Sequence, residues 1–319
     1  MRHLFLIGLL AGTALACQNA ADPQDAGSPA LSEASDAAHL DLRDERASLI
    51  QAGNALSAAI GSAGVAAGLS AAFADDVLLL SPRVDIISGA ASATTFLTSN
   101  PLAPLALSWH VLVAEVSNDA TQGYTWSEGS STFDFGAGAA PRPSFFLTYW
   151  TRQSTDDDWS VAAMVVNAGG PQSTPIPDGF GTPANKHRRT FPNTEVSEQS
   201  AAILGVDAAF SAASVTDGLG PAFEHFAAPN AIGVAGEFLF GPAALGVAFA
   251  SEPGDTVTWI PRYSDVAASG DLGFSVGEAT FDLVQVTFYS KYLTVWQKQN
   301  TGEWRYVADF GNSRPAPTP

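Results

Sequence analysis

Apolar and polar positions change period along this chain in a set order, and the order occurs twice. From about Arg43 to Gly61 an Ala-rich stretch carries a helical pattern, and a second short helix is predicted from about Val65 to Phe73. Val77 to Leu80 is an unbroken apolar run that reads as a buried strand, and Gly89 opens a third short helix reaching about Thr98. Beyond Pro101 and Pro104 the pattern turns to strand. Leu107–Val116, Gln122–Glu128, Ser144–Arg152 and Trp159–Val166 are each rich in β-branched and aromatic residues between turn residues. The second half repeats this order: helices over about Glu198–Ala213 and Gly218–Phe226, a short strand, a short helix after Gly241, and long strands to Phe310. Helices followed by a meander of strands predict an α+β domain, its helices packed on one face of a curved antiparallel sheet.

The repetition extends to single residues. Ser108-Trp109, Glu115-Val116 and Gln122-Gly123-Tyr124-Thr125 are echoed by Thr258-Trp259, Asp265-Val266 and Leu272-Gly273-Phe274-Ser275, at a constant offset of 150 residues. Phe146-Leu147-Thr148-Tyr149-Trp150 is echoed by Tyr292-Leu293-Thr294-Val295-Trp296, and Trp159 by Trp304. The chain therefore holds two copies of one domain of ~130 residues, a common domain size. We place domain 1 at 42–168 and domain 2 at 197–319, joined by a Pro/Gly-rich linker at 169–196.

Residues 1–16 read as a secretory signal peptide: Arg2 and His3, an apolar run from Leu4 to Leu10, then small residues. The run is too short for a permanent membrane-spanning helix. It closes on Ala14-Leu15-Ala16-Cys17, which resembles a bacterial lipobox, and Cys17 is the only cysteine. Cys17 is the expected lipid attachment site; the alternative is ordinary cleavage after Ala16, leaving one odd thiol. Gln18 follows, not Asp, and resemblance to Gram-negative lipoprotein sorting then favours the outer membrane, facing the periplasm. Residues 17–41 read as the lipidated cysteine and a flexible tether.

Charge narrows the partners. With 14 basic and 32 acidic residues the net charge is −18, a surface that repels phosphate backbones, so nucleic acid is excluded as the expected partner. The membrane is expected to be reached through the N-terminal lipid only. Nineteen Phe and seven Trp supply aromatic mass for two cores. The histidines are scattered and no pair stands at ligand spacing, so neither metal nor cofactor is expected. No phosphate-binding Gly-rich loop before a Lys-Ser/Thr pair is present. The basic run Lys186-His187-Arg188-Arg189 falls in the linker.

Domain 2 resembles a branch of the SnoaL-like proteins of the nuclear transport factor 2-like superfamily. The resemblance rests on Trp259-Ile260-Pro261, on Ser269 to Gly277, on Tyr292 to Gln299 and on Gly302 to Asp309. Domain 1 matches more loosely. The resemblance implies a cone-shaped, cystatin-like fold with a deep pocket between sheet and helices. That fold hosts isomerases, dehydratases and binders alike, so function must be argued from the pocket. Domains of this kind often pair through their sheets, and here the two copies are expected to form a pseudo-dimer within one chain.

Enzymes of the fold that move a proton beside a ketone resemble one another in an Asp base before a Pro, a Tyr and a second acid. Counting places Ser81, Ser57 and Thr148 at these positions in domain 1. In domain 2 it places Val234 or Ala235, Phe210 and Thr294 there. None can fill its role, so this isomerase chemistry is not expected. Two polar and aromatic sets remain. Arg262, Tyr263 and Asp265 form either a polar cluster inside the cone, the weak catalytic candidates, or an ordinary sheet face with a cross-strand ion pair. Trp109, Trp259, Tyr263, Tyr292 and Trp296 either line a ligand pocket or join sheet to helices as core. The expected function is binding of a small apolar molecule, or an envelope scaffold without catalysis. The alternative is an isomerase-, dehydratase- or hydrolase-type enzyme acting on a small hydrophobic substrate in the domain 2 pocket.

Overall fold

Spacing of buried positions explains why the first helix forms and where it docks. Leu49, Gly53, Leu56 and Ile60 are its buried residues, three or four apart, so they make one stripe along α1 (Leu42–Ala63). Asp44 and Glu45 in its first turn complement the helix dipole. The computed structural model describes residues 42–170, 176–177, 196–235 and 237–317, which belong to one unit, Leu40–Pro319. The signal, Cys17, the tether, most of the linker and its basic run lie outside the described residues.

After α1 come α2 (Val65–Ser70), β1 (Phe73–Leu80), β2 (Ile87–Ser88) and α3 (Ala90–Ser99). Four long strands close domain 1: β3 (Ala106–Val116), β4 (Gln122–Phe133), β5 (Ala140–Thr151) and β6 (Ser160–Val166). Domain 2 repeats the order with α4 (Val196–Thr216), α5 (Leu219–Phe226), β7 (Ala227–Val234), β8 (Phe238–Phe240) and α6 (Pro242–Ala248). It ends in β9 (Thr256–Val266), β10 (Leu272–Leu283), β11 (Val286–Lys298) and β12 (Trp304–Ser313). The sheets have orders β2-β1-β6-β5-β4-β3 and β8-β7-β12-β11-β10-β9. Each is antiparallel except for one parallel pair, β1 with β6 and β7 with β12. The sheets are thus mixed rather than wholly antiparallel, because the helices of each copy carry the chain back to the sheet's far side.

Each sheet uses both faces. One face packs on its own helices: Leu49, Leu56, Trp109 and Trp150 in domain 1, Ile203, Phe210, Trp296 and Tyr306 in domain 2. The other faces pack on each other in a single shared core. Phe145 and Phe238 meet there at 4.1 Å between ring centroids, Tyr149 and Phe274 at 4.6 Å, and Trp126 and Phe310 at 5.4 Å. Each such ring, fully buried, contributes roughly 1.5–3 kcal/mol. The two copies therefore form a pseudo-dimer within one chain.

Polar contacts at the seam are partly reciprocal. Asn118 N–H donates to Asp271 Oδ1 at 3.2 Å, and Ser269 N–H donates to Asp119 Oδ2 at 2.6 Å. The contacts of Lys291 have no counterpart. Lys291, fully buried, donates from Nζ to Ser81 O (2.8 Å), Asn312 Oδ1 (2.6 Å) and Ser313 O (2.9 Å). Burial lowers its pKa to about 7, while these three acceptors use every donor of the ammonium.

Candidate functional site

A cavity of about 320 Å³ lies inside domain 2, between the sheet and helices α4 and α5. Its wall carries Phe210, Phe223, Trp259, Phe281 and Phe310. Phe288, 41% exposed, also lines it and therefore marks the rim, with Ser290, Ser313 and Asn167 of domain 1. Phe210 is the centre of the aromatic packing: Trp259 crosses it edge-on at 4.6 Å and Phe223 at 4.9 Å.

Two carboxylates are set into this apolar wall. Asp207 lies on the buried stripe of α4 between Ile203 and Phe210, and is 1% exposed. Its Oδ1 accepts from Trp259 Nε1–H and its Oδ2 from the Tyr292 hydroxyl, both at 2.8 Å. Ser275 adds a further hydrogen bond, and burial against these donors still lifts the Asp207 pKa to about 6. Asp309, on β12, lines the cavity directly. Its Oδ1 accepts from the Thr294 hydroxyl at 2.5 Å, and its Oδ2 takes no hydrogen bond among the described residues. Burial, with the Asp207 charge adding, lifts the Asp309 pKa to about 7. Burial and the adjoining Asp207 hold the Tyr292 hydroxyl protonated, with its pKa well above the ordinary value. Among the described residues neither carboxylate meets a basic side chain at salt-bridge distance. A buried acid and a half-buried one without a base make a functional-site candidate rather than a stabilising ion pair.

A glycine makes the arrangement fit. A Cβ on Gly277, across the strand pair from Tyr292, would overlap the tyrosine hydroxyl. Domain 1 has Ser127 at the equivalent place, and the whole polar set is missing there. The Trp259 N–H donates to Ser211 Oγ as the Trp109 N–H donates to Ser57 Oγ, both at 2.8 Å, which aligns α4 on α1 and Asp207 on Gly53. Strand register aligns Tyr292 with Phe146 and Asp309 with Met164. The Trp109 indole N–H accordingly bonds Gly53 O at 3.0 Å instead of a carboxylate. Phe146, Met164 and Trp109 are all buried and fill the cone of domain 1 from within.

Trp259 and Tyr292, both predicted from sequence, line the cavity. Trp296 is fully buried, its indole N–H on Ser275 Oγ at 2.8 Å, and Trp109 belongs to the core of domain 1. Arg262, Tyr263 and Asp265 are brought elsewhere. Arg262 is exposed and pairs with Glu278 at 2.9 Å; Tyr263 is 42% exposed; Asp265 accepts from Gln122 of domain 1 at 2.8 Å. A bulge in β9 between Pro261 and Tyr263 is the reason. Its extra residue reverses the alternation, so Ser264 rather than Tyr263 meets α4, through Ser200 at 2.7 Å.

Asp207, Asp309 and Gly277 as a working set were not found by sequence reasoning. One signal was present: an acid between Ile203 and Phe210 on the apolar stripe of a helix is out of place unless it is used. Asp309 offered none, since its neighbours on β12 mix both faces. Among the described residues no group of three or more His, Cys, Asp or Glu is placed to hold a metal, and no helix is long and apolar enough to cross a membrane.

No protein-family model and no curated protein matches the chain. Solved structures similar to it include a ketosteroid isomerase-like protein from Erwinia carotovora atroseptica, 17% identical, covering 39% of this chain and 95% of that one, TM-score 0.31. Another is an NTF2-like protein from Cytophaga hutchinsonii, 15% identical, covering 40% and 99%, TM-score 0.30. A third is a Mycobacterium tuberculosis protein in complex with estradiol-17beta-hemisuccinate, 13% identical, covering 37% and 92%, TM-score 0.28. Each matches the chain over about the length of one domain.

Proposed function

We propose that this chain is a lipid-anchored receptor of the bacterial envelope, in which domain 2 holds a small, largely apolar molecule and domain 1 braces it. The carrying observation is the ring-lined cavity of about 320 Å³ with Asp309 in its wall. An apolar pocket with a few placed polar groups is the general form of a small-molecule site. Anchoring through Cys17, at the periplasmic side of the outer membrane, is supported by the signal-like run before it and by Gln18 after it.

Native mass spectrometry of the chain released from its own envelope tests the receptor reading. A retained small mass, lost when Trp259→Ala or Phe210→Ala opens the wall, is the expected result. A clean apo mass, together with no binding from a panel of small hydrophobic molecules, would overturn it. Cys17→Ser tests the anchor and should move the protein from the membrane to the soluble fraction.

One observation favours a second reading. Asp309 has a pKa of about 7 beside free cavity space, which suits a group that exchanges a proton near neutral pH. Domain 2 would then act as an acid–base enzyme on the same class of molecule. Turnover lost in Asp309→Asn with ligand binding kept would establish it.

A further inference from the structure

We infer that the cavity of domain 2 recognises an organic ammonium: a small amine whose charged head meets Asp309 and whose apolar body lies among the aromatic rings. This rests on the receptor reading above and adds the charge of the ligand.

Hydrogen-bond direction carries the argument. Trp259 Nε1–H and the Tyr292 O–H are both given to Asp207, and the Thr294 O–H is given to Asp309. At the rim, the Asn312 amide is given to Leu80 O (2.9 Å) and Val166 O (2.7 Å). The deep wall therefore turns its donors into the protein and presents lone pairs to the cavity: the Tyr292 oxygen and the second oxygen of Asp309. A ligand must bring the donors.

Charge points the same way. The basic side chains nearest the site are turned from it: Arg262 is on the other face with Glu278, and Lys291 is spent on Ser81, Asn312 and Ser313. An anionic ligand would bring a third negative group to two largely desolvated acids in an apolar cavity. In the deep wall a carbonyl ligand would find a donor only while Asp309 keeps its own proton, the Ser290 and Ser313 hydroxyls lying out at the rim. A cation meets a carboxylate and, around it, the rings of Phe210, Phe223, Trp259 and Phe281, whose faces attract positive charge.

The groups that face Asp309 set the pH behaviour. They are Asp207 from α4, Tyr292 and Thr294 from β11 and Tyr306 from β12, while β7 carries no titratable residue. None is a base, so a bound ammonium is the partner that would hold Asp309 ionised. Amine binding then releases the Asp309 proton, and affinity rises as pH rises towards and through about 7. A ketone that needs the protonated acid shows the opposite slope.

The test is calorimetric titration of the intact two-domain chain with three probes of one shape: phenylbutylamine, phenylbutanone and phenylbutanoate. The amine should bind best, and its affinity should climb between about pH 5.5 and about pH 8.5. Asp309→Asn, which keeps the Thr294 contact, should lower amine affinity about tenfold or more and remove the pH slope. Tighter binding of the ketone or the carboxylate, or amine affinity that falls with pH, overturns the ammonium assignment and leaves the receptor reading standing. Binding of none of the three overturns both.

Discussion

Domain 1 and domain 2 share the same strand order, the same helix-to-sheet hydrogen bonds and three tryptophans at matching places, yet only domain 2 carries the acids. In each, a serine on the first helix receives the N–H of the first strand's Trp, and a second Trp bonds a hydroxyl two strands in, Thr125 or Ser275. What differs is three side chains and one missing one: Gly53, Phe146, Met164 and Ser127 against Asp207, Tyr292, Asp309 and Gly277. The lesson is that a cone stays folded with either filling. A wholly apolar filling closes on itself, while a polar filling must be satisfied donor by donor and leaves space where a ligand can complete it.

Moving the acid to the wrong domain should break the comparison most severely. Gly53→Asp would place a Cβ 2.7 Å from Val111 Cγ2 and bury a charge with no tyrosine to meet it. Urea unfolding should show a loss of about 3–5 kcal/mol. Adding Phe146→Tyr should return part of it, with a coupling of roughly 0.5–3 kcal/mol in a double-mutant cycle. A fully additive double mutant would mean that the two domains do not share one design.

The seam is the next place to look. Lys291 stands in domain 2 where domain 1 has Phe145, and Lys291→Met strands Ser81 O and Asn312 Oδ1, while Ser313 O keeps the Arg83 N–H. A loss of about 2–3 kcal/mol is expected in the same unfolding experiment, and an unchanged midpoint would show the lysine to be dispensable. Tyr292→Phe converts domain 2 towards domain 1 by a single oxygen. It should cost about 1–2 kcal/mol and raise the Asp207 pKa further, because a donor to the carboxylate is removed. Carboxyl chemical shifts followed against pH would read that change.

Titration of stability sharpens the contrast without a change of fold. Asp207 and Asp309 keep protons in the folded chain that they lose in the unfolded chain, across the window from 3.8 to about 7. The folded state therefore binds more protons there, and the contribution of these groups falls as pH rises through that window. Asp309→Asn should flatten the fall, whereas Met164→Leu in domain 1 should leave it as it is. Lys291 acts in the other direction above about 7, since its lowered pKa leaves the unfolded chain with more protons bound. The smallest effect is expected at Arg262→Ala. An exposed pair with Glu278 contributes at most about 0.5–1 kcal/mol, and ligand binding should not change.

Element types and their order were legible, because helices and strands here have strong, opposite periodicities and Gly and Pro mark the joints. The strand from Gln122 was longer than its pattern suggested, running to Phe133, since its far half pairs with β3 and β5 at positions of mixed polarity. Half of the site was legible as well: Trp259 and Tyr292 declared themselves by recurrence at strand positions. Arg262, Tyr263 and Asp265 misled because the bulge beside Pro261 inverts the faces beyond it.

By itself, then, the sequence determined that there are two copies of one α+β unit, the order of their helices and long strands, and which aromatic residues recur. Those properties depend on the period and spacing of neighbouring side chains, which are written along the chain. Only the tertiary structure decided that Asp207 and Asp309 meet in one cavity and that Gly277 makes room for Tyr292. It alone decided that domain 1 fills its own cone, and that Lys291 locks the seam. Each of these is a meeting of residues brought together from separate elements, and their burial and hydrogen bonding exist only once the sheets have closed.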